Sequence, residues 1–208
     1  MTRIILIRHG QTVWNRERRF RGQADVELDE FGLRQAQVTG QYVAARWPVI
    51  AVYASPLQRT MRTAEAVAHA QGLTAHPLAG LLDINCGEWQ GQRGDEIAQH
   101  SPELFQAWQQ APHTVRFPGG EELGDVRERV TAALDDVIAR HAGQAVALVS
   151  HSVVNRVLLC IALGWGNDRF WRLRQETCAV NVFDVEQNGD FTIGLINDTS
   201  HQQNFSED

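Results

Sequence analysis

The chain has 208 residues, 43% hydrophobic and 21% charged, enough for one sizeable core, and the expectation is one domain over 1–200 with a polar tail at 201–208. A balance of 19 basic to 25 acidic residues gives no basic excess for nucleic acid. There is no lysine, so every basic residue is Arg, which excludes both a P-loop lysine and a Schiff-base lysine.

The first residues, "MTRIILIRHG", contain neither a signal-peptide segment nor an apolar run of the roughly 18 residues that a bilayer requires. A cytoplasmic protein with no membrane partner is expected. "RIILI" from Arg3 to Ile7 reads as the first strand. Helical spacing follows over Leu33 to Arg46, a strand over Val49 to Ala54, a helix over Leu57 to Gln71 and a weaker strand near Thr74 to Leu78. Residues 84–122, with Pro102, Pro112, Pro118 and a Gly-Gly pair, read as an insertion over the sheet edge containing a short helix from Pro102 to Gln110. A longer helix is expected over Leu123 to His141, then a strand at Ala145 to Ser150, a helix at Val153 to Leu163, and strands at Ala179 to Val185 and Phe191 to Ile196. Asn188-Gly189 between the last two is a hairpin signal. Strand and helix alternate, so the fold class is α/β. The expected form is a three-layer α/β/α with a mainly parallel central sheet, one antiparallel C-terminal strand and an insertion covering the active site. Cys86, Cys160 and Cys178 have no C-x-x-C spacing and read as buried thiols, with no disulfide framework and no zinc site.

Polar residues collect after the strands. Arg8-His9-Gly10 follows the first, Ser55-Pro56-Leu57-Gln58-Arg59 the second, and Ser150-His151-Ser152 the "VALV" strand. Ligands in open parallel sheets bind outside the carboxyl ends of the strands. Two histidines and two arginines therefore converge in a cationic, donor-rich pocket suited to phosphate, whose oxygens match the arginine fork. A histidine there can attack phosphorus and carry the group.

"LIRHGQTVWN", "RFRGQADVELDEFGLRQA", "SPLQRTMRTAE", "LLDINCGEWQG", "PGGEE" and "VALVSHSVVNRVLL" occur in that order over nearly the whole chain. Together they resemble the histidine phosphatase superfamily, in the branch that holds cofactor-dependent phosphoglycerate mutases and their phosphatase relatives. The resemblance implies His9 as nucleophile, with Arg8, Arg59 and His151 holding the transferred phosphoryl group and Asn15 adding a donor. Arg21 and Gly22 fall where the family closes a loop over its substrate. It implies no metal and no cofactor, because arginines supply the transition-state charge. The family places Glu four residues ahead of the glycine in "LLDINCGEWQG"; here that spacing gives Asp83 as general acid, with Glu88 as its rival. Ser152 stands where the family has glycine, and it either crowds the phosphate or donates a hydroxyl to it.

Arg16, Arg18, Arg19 and Arg62 read as surface arginines. So do His69, His76, His100, His113, His141 and His201 as surface histidines, for want of metal-ligand spacing. Trp14, Trp89 and Trp108 line a pocket or merely pack.

The reading is a metal-independent phosphomonoesterase for small-molecule phosphate esters acting through phosphohistidine. The alternatives are a phosphoglycerate mutase and, in another class, a non-catalytic phospho-ligand binding protein. Sugar phosphates, phosphoserine, glycosylated phosphoglycerate and nucleotide-like phosphates all stay open as substrates, and a homodimer is left open. Between Gly87 and Gly119 the insertion offers only Arg93 and Arg116 beside Phe105, Trp108 and Phe117. That lid favours hydrolysis of less polar esters over isomerisation.

Overall fold

In Thr2–Arg8 (β1), Ile4 and Leu6 face one side and Ile5 and Ile7 the other, and all four are fully buried. A strand apolar at every position is stable only when both its faces are covered. Each such side chain contributes about 1.5–3 kcal/mol on leaving water. The computed structural model describes residues 1–203. It covers β1 on both sides.

Six strands form the sheet. Besides β1 they are Ala51–Ala54 (β2), Ala75–Pro77 (β3), Ala145–Ser150 (β4), Val180–Val185 (β5) and Phe191–Asp198 (β6), in the order β3-β2-β4-β1-β5-β6. The first four in that order run parallel, with Arg8 opposite Ser150 at the carboxyl end of the central β1–β4 pair. The antiparallel strand expected near the C-terminus is β5, which runs against both β1 and β6; β6 thereby returns to the direction of the parallel set.

Val13–Arg16 (α1) is a single turn that sequence periodicity did not register. Glu30–Arg46 (α2) and Gln58–His69 (α3) pack on the face that carries Ile5 and Ile7. Helix α2 starts three residues before the apolar pattern suggests, because Asp29 caps it by accepting from the Gly32 amide at 2.8 Å. Helix α3 is capped from a distance, with Asp25 Oδ1 accepting from the Gln58 amide at 2.7 Å. Leu123–Arg140 (α6) and Ser152–Ala162 (α7) cover the opposite face with the insertion, which holds Gly94–His100 (α4) and Pro102–Gln110 (α5). Phe20, Trp89, Phe105, Trp108 and Phe117 join the insertion to that core through edge and tilted ring contacts of 4.9 to 6.5 Å. Trp89 is therefore packing.

The tail differs from expectation. Ser200–Gln202 forms a short 3-10 turn, and His201 stacks on Tyr42 at 4.5 Å while its Nε2 bonds Thr39 Oγ1 at 3.0 Å. Gln202 meets Gln35 and the Thr177 carbonyl. Residues 201 and 202 are thus docked by stacking and amide bonds, and His201 is half-buried. Residues 204–208 of the expected tail lie outside the described residues. No helix among the described residues is long and apolar enough to cross a membrane.

Candidate active site

The carboxyl ends of β1, β2 and β4 bring the expected residues together. His9 and His151 are fully buried with ring centroids 5.3 Å apart. Asp83 Oδ2 stands 3.5 Å from Arg59 Nη2 and 3.6 Å from His151 Nδ1. Arg8 and Arg59 are buried.

His9 Nδ1 lies 2.6 Å from the Gly10 carbonyl oxygen. A carbonyl can only accept, so Nδ1 carries the proton and Nε2 presents a lone pair. That Nε2 is buried without a protein partner, as are Arg8 Nε, Arg21 Nε, Arg59 Nε and His151 Nδ1. Unpaired buried polar atoms cost free energy and call for a ligand. One lone pair among several N–H donors fits an electrophilic phosphorus surrounded by acceptor oxygens. His151 Nε2 bonds Ser55 Oγ at 2.8 Å; when the hydroxyl donates, the imidazole proton sits on Nδ1, toward Asp83.

The electrostatics follow from burial. Both histidines are held well below the usual imidazole range, first by desolvation and then by Arg59 and its cationic neighbours. Each is a neutral ring at neutral pH. Burial pushes the Asp83 carboxyl up, against the pull of Arg59 and Arg21. Arg8 is brought down to about 9 and Arg59 to about 10, chiefly by desolvation, and both stay cationic at neutral pH.

Arg59 ties the neighbouring loop to the cluster, donating from Nη1 to the Ala24 carbonyl at 2.6 Å and from Nη2 to the Gly22 carbonyl at 2.8 Å. Gly22 has φ +49°, a conformation costly for other residues, and turns its carbonyl onto that arginine. Gly10 is also required by packing. A Cβ there would stand 2.6 Å from the Gly32 carbonyl oxygen, so the glycine lets α2 close on the loop after β1. Asn15 Oδ1 accepts from the Thr12 amide and hydroxyl, which leaves Nδ2 of the side chain to donate.

Of the rival carboxyl groups, Asp83 is buried inside the cluster and Glu88 is exposed. Ser152 Oγ accepts from Arg156 Nη1 at 2.5 Å, which holds the hydroxyl against that guanidinium and leaves its own proton to donate. Arg18 and Arg19, read as surface residues, line a cavity of about 240 Å³ with Arg21, Gly22, Asp83, Trp108, Phe117, Ser152, Arg156 and Trp171. The turn after α1 brings them there, Arg19 being held by the Gly91 carbonyl at 2.8 Å.

Three participants had no role in the sequence reading, although Ser55 was placed at the strand ends. Ser55 orients His151. Arg156 enters the cavity wall four residues after Ser152, a spacing that places both on one helical face. Arg129 of α6 bonds the carbonyls of Gly80, Leu82 and Asp83 and also Glu121, whose Oε2 accepts from the Asn85 amide. This clamp fixes the backbone on both sides of Asp83. Among the described residues, no group of three or more His, Cys, Asp or Glu could hold a metal ion.

A covered, mainly parallel sheet with a buried histidine–arginine–carboxyl cluster at its strand ends defines an α/β protein suited to handling phosphoryl groups. The chain belongs to branch 1 of the histidine phosphatase superfamily, whose family model matches residues 4–199. It is 35% identical over 205 residues to phosphoserine phosphatase 1 of Hydrogenobacter thermophilus, covering 99% of this chain and 96% of that protein. It is 31% identical over 205 residues to the probable phosphoglycerate mutase GpmB of Yersinia pestis, with 97% and 95% covered. Among solved structures, YhfR of Bacillus stearothermophilus superposes with a TM-score of 0.91 at 33% identity, over 97% of this chain and 99% of that one.

Proposed function

We propose that the chain is a phosphoric monoester hydrolase for small-molecule phosphate esters, acting as one domain (1–200) with 84–122 as its substrate lid. Membership of the superfamily and the phosphoserine phosphatase relative support the reaction class. The observation that carries the mechanism is the His9–Gly10 bond, which leaves Nε2 with a free lone pair among buried guanidinium groups.

In the first step His9 Nε2 attacks phosphorus, the ester P–O bond breaks, and protonated Asp83 gives its proton to the leaving oxygen. In the second, Asp83 as carboxylate takes a proton from water, the water oxygen bonds to phosphorus, and the P–N bond breaks to release phosphate and neutral His9. Arg8, Arg59 and the Nδ1–H of His151 meet the charge on the transferred oxygens, with Arg21 and the Asn15 amide as further donors. Gly22 and Ser152 shape the wall. Metal independence follows from this charge balance, and a cytoplasmic site of action is part of the reading.

A panel of metabolite phosphates, assayed for inorganic phosphate and for interconversion of 2- and 3-phosphoglycerate, tests the proposal. Phosphate release should dominate. Rapid interconversion primed by 2,3-bisphosphoglycerate with little phosphate released would replace it with a mutase, and saturable binding with no turnover would replace it with a binding protein.

A further inference from the structure

Arg156 is a cation held by neutral groups, with Glu176 near enough to favour its charge and, among the described residues, no carboxylate in direct ion-pair contact. Its Nε donates to the Leu173 carbonyl at 2.7 Å and its Nη1 to Ser152 Oγ at 2.5 Å. The guanidinium carbon lies 5.3 Å from the Phe170 ring centre and 5.1 Å from that of Trp171, so two aromatic faces and two hydrogen bonds fix its plane. A guanidinium has five N–H groups. Three are therefore left, one on Nη1 and both on Nη2. The residue lines the cavity that Asp83 and Arg21 also line, close enough to Arg8 and Arg21 for mutual repulsion.

Counting charge shows what this surplus is for. Arg8, Arg21, Arg59 and Arg156 bring four positive charges, Asp83 enters the reaction protonated, and Glu176, near Arg8 and Arg156, offsets one. A phosphate monoester dianion compensates two more, which leaves one. Buried positive charge left over disfavours neutral leaving groups and favours one that carries its own anion. Resting on the hydrolase reading above, we infer that Arg156, braced by Ser152, is a specificity-determining residue that binds a carboxylate on the leaving group. The preferred substrate class is a small phosphorylated hydroxy or amino acid. The serine explains itself in the same way: glycine at 152 would leave Nη1 without its acceptor and the guanidinium held only by the Leu173 carbonyl and the two rings. The insertion's scarcity of charge then says little about substrate polarity, because the deciding cation comes from α7.

The test compares kcat/KM for O-phosphoserine and O-phosphoethanolamine, which differ only in the carboxylate, in the wild type, Arg156→Gln and Ser152→Gly. The wild type should prefer phosphoserine. Arg156→Gln should cut the phosphoserine-to-phosphoethanolamine ratio by about 10- to 100-fold, the worth of a charge-assisted hydrogen bond. Ser152→Gly, which keeps the cation and loses its brace, should lower the ratio by a smaller factor, mainly through KM. A purely structural Arg156 would reduce both esters equally, and that outcome, or a wild type that prefers phosphoethanolamine, overturns the inference while leaving the hydrolase reading intact. Failure of the wild type on both esters and on an aryl phosphate would instead remove the hydrolase reading, and this inference with it. Should Arg156→Gln fold poorly, the Ser152→Gly ratio decides the matter, an unchanged ratio counting against the brace and the site.

Discussion

Acidification should destabilise this protein in a way that reports directly on the two active-site histidines. His9 and His151 are fully buried and neutral, their imidazoles held well below the usual value of 6.5 by desolvation and by Arg59. The unfolded chain takes up protons on both as pH falls through about 6.5 and the folded chain does not, so stability is lost on the acid side. Between pH 7 and 5.5 the unfolded-state term is about 1.3 kcal/mol for each histidine, or about 2.5 kcal/mol for the pair. Asp83 opposes this: its raised carboxyl binds a proton earlier in the folded state, so that group's contribution grows as pH falls. Half-buried His201 is also lowered and adds a smaller loss of the same sign as the pair. Urea unfolding at pH 7 and 5.5 measures the sum. Asp83→Asn removes the opposing contribution and should show the larger pH dependence, whereas His9→Gln should remove about half of the histidine effect. Stability that is equal at both pH values in Asp83→Asn, or higher at 5.5, would refute neutral histidines and with them the free lone pair on His9.

Further outcomes concern turnover. Asp83→Asn should lower kcat on poor leaving groups by about 10²- to 10⁴-fold, the usual contribution of a general acid, and do less damage with activated aryl phosphates. Glu88→Gln should leave that leaving-group pattern as it is, and the opposite assignment of effects would exchange the two roles. Activity should survive treatment with EDTA, because arginines carry the positive charge; loss of turnover restored by added Mg²⁺ or Zn²⁺ would contradict this.

Much of the site was legible because two simple regularities coincide. Buried strands announce themselves as continuous apolar runs, and in a parallel sheet the residues just beyond their carboxyl ends share one region. Arg8, His9, Arg59 and His151 follow from that, whereas Asp83 comes only from the family pattern that its segment resembles. Relations between separate elements were not legible. The Arg129 clamp joins α6 to the 80–85 segment, and Arg19 at the cavity wall is held by an isolated bridge to Arg93 and by the Gly91 carbonyl. The polar composition of residues 201 and 202 concealed a docked turn, since stacking on Tyr42 needs only one ring placed well. The need for glycine at position 10 was not legible either, because the Gly32 carbonyl that fills the space beside it is distant in sequence. The Ser152–Arg156 pair was visible as an i,i+4 spacing on one helix, and attention to the missing glycine alone passed over it.

The most direct measurement is chemical. Rapid quenching of the enzyme with a 32P-labelled ester, followed by denaturation, should leave protein-bound label that is lost in acid, persists in alkali and maps to the peptide containing His9. His9→Ala should carry none. Label that is acid-stable, or that appears equally on the His9→Ala protein, would contradict the phosphohistidine route.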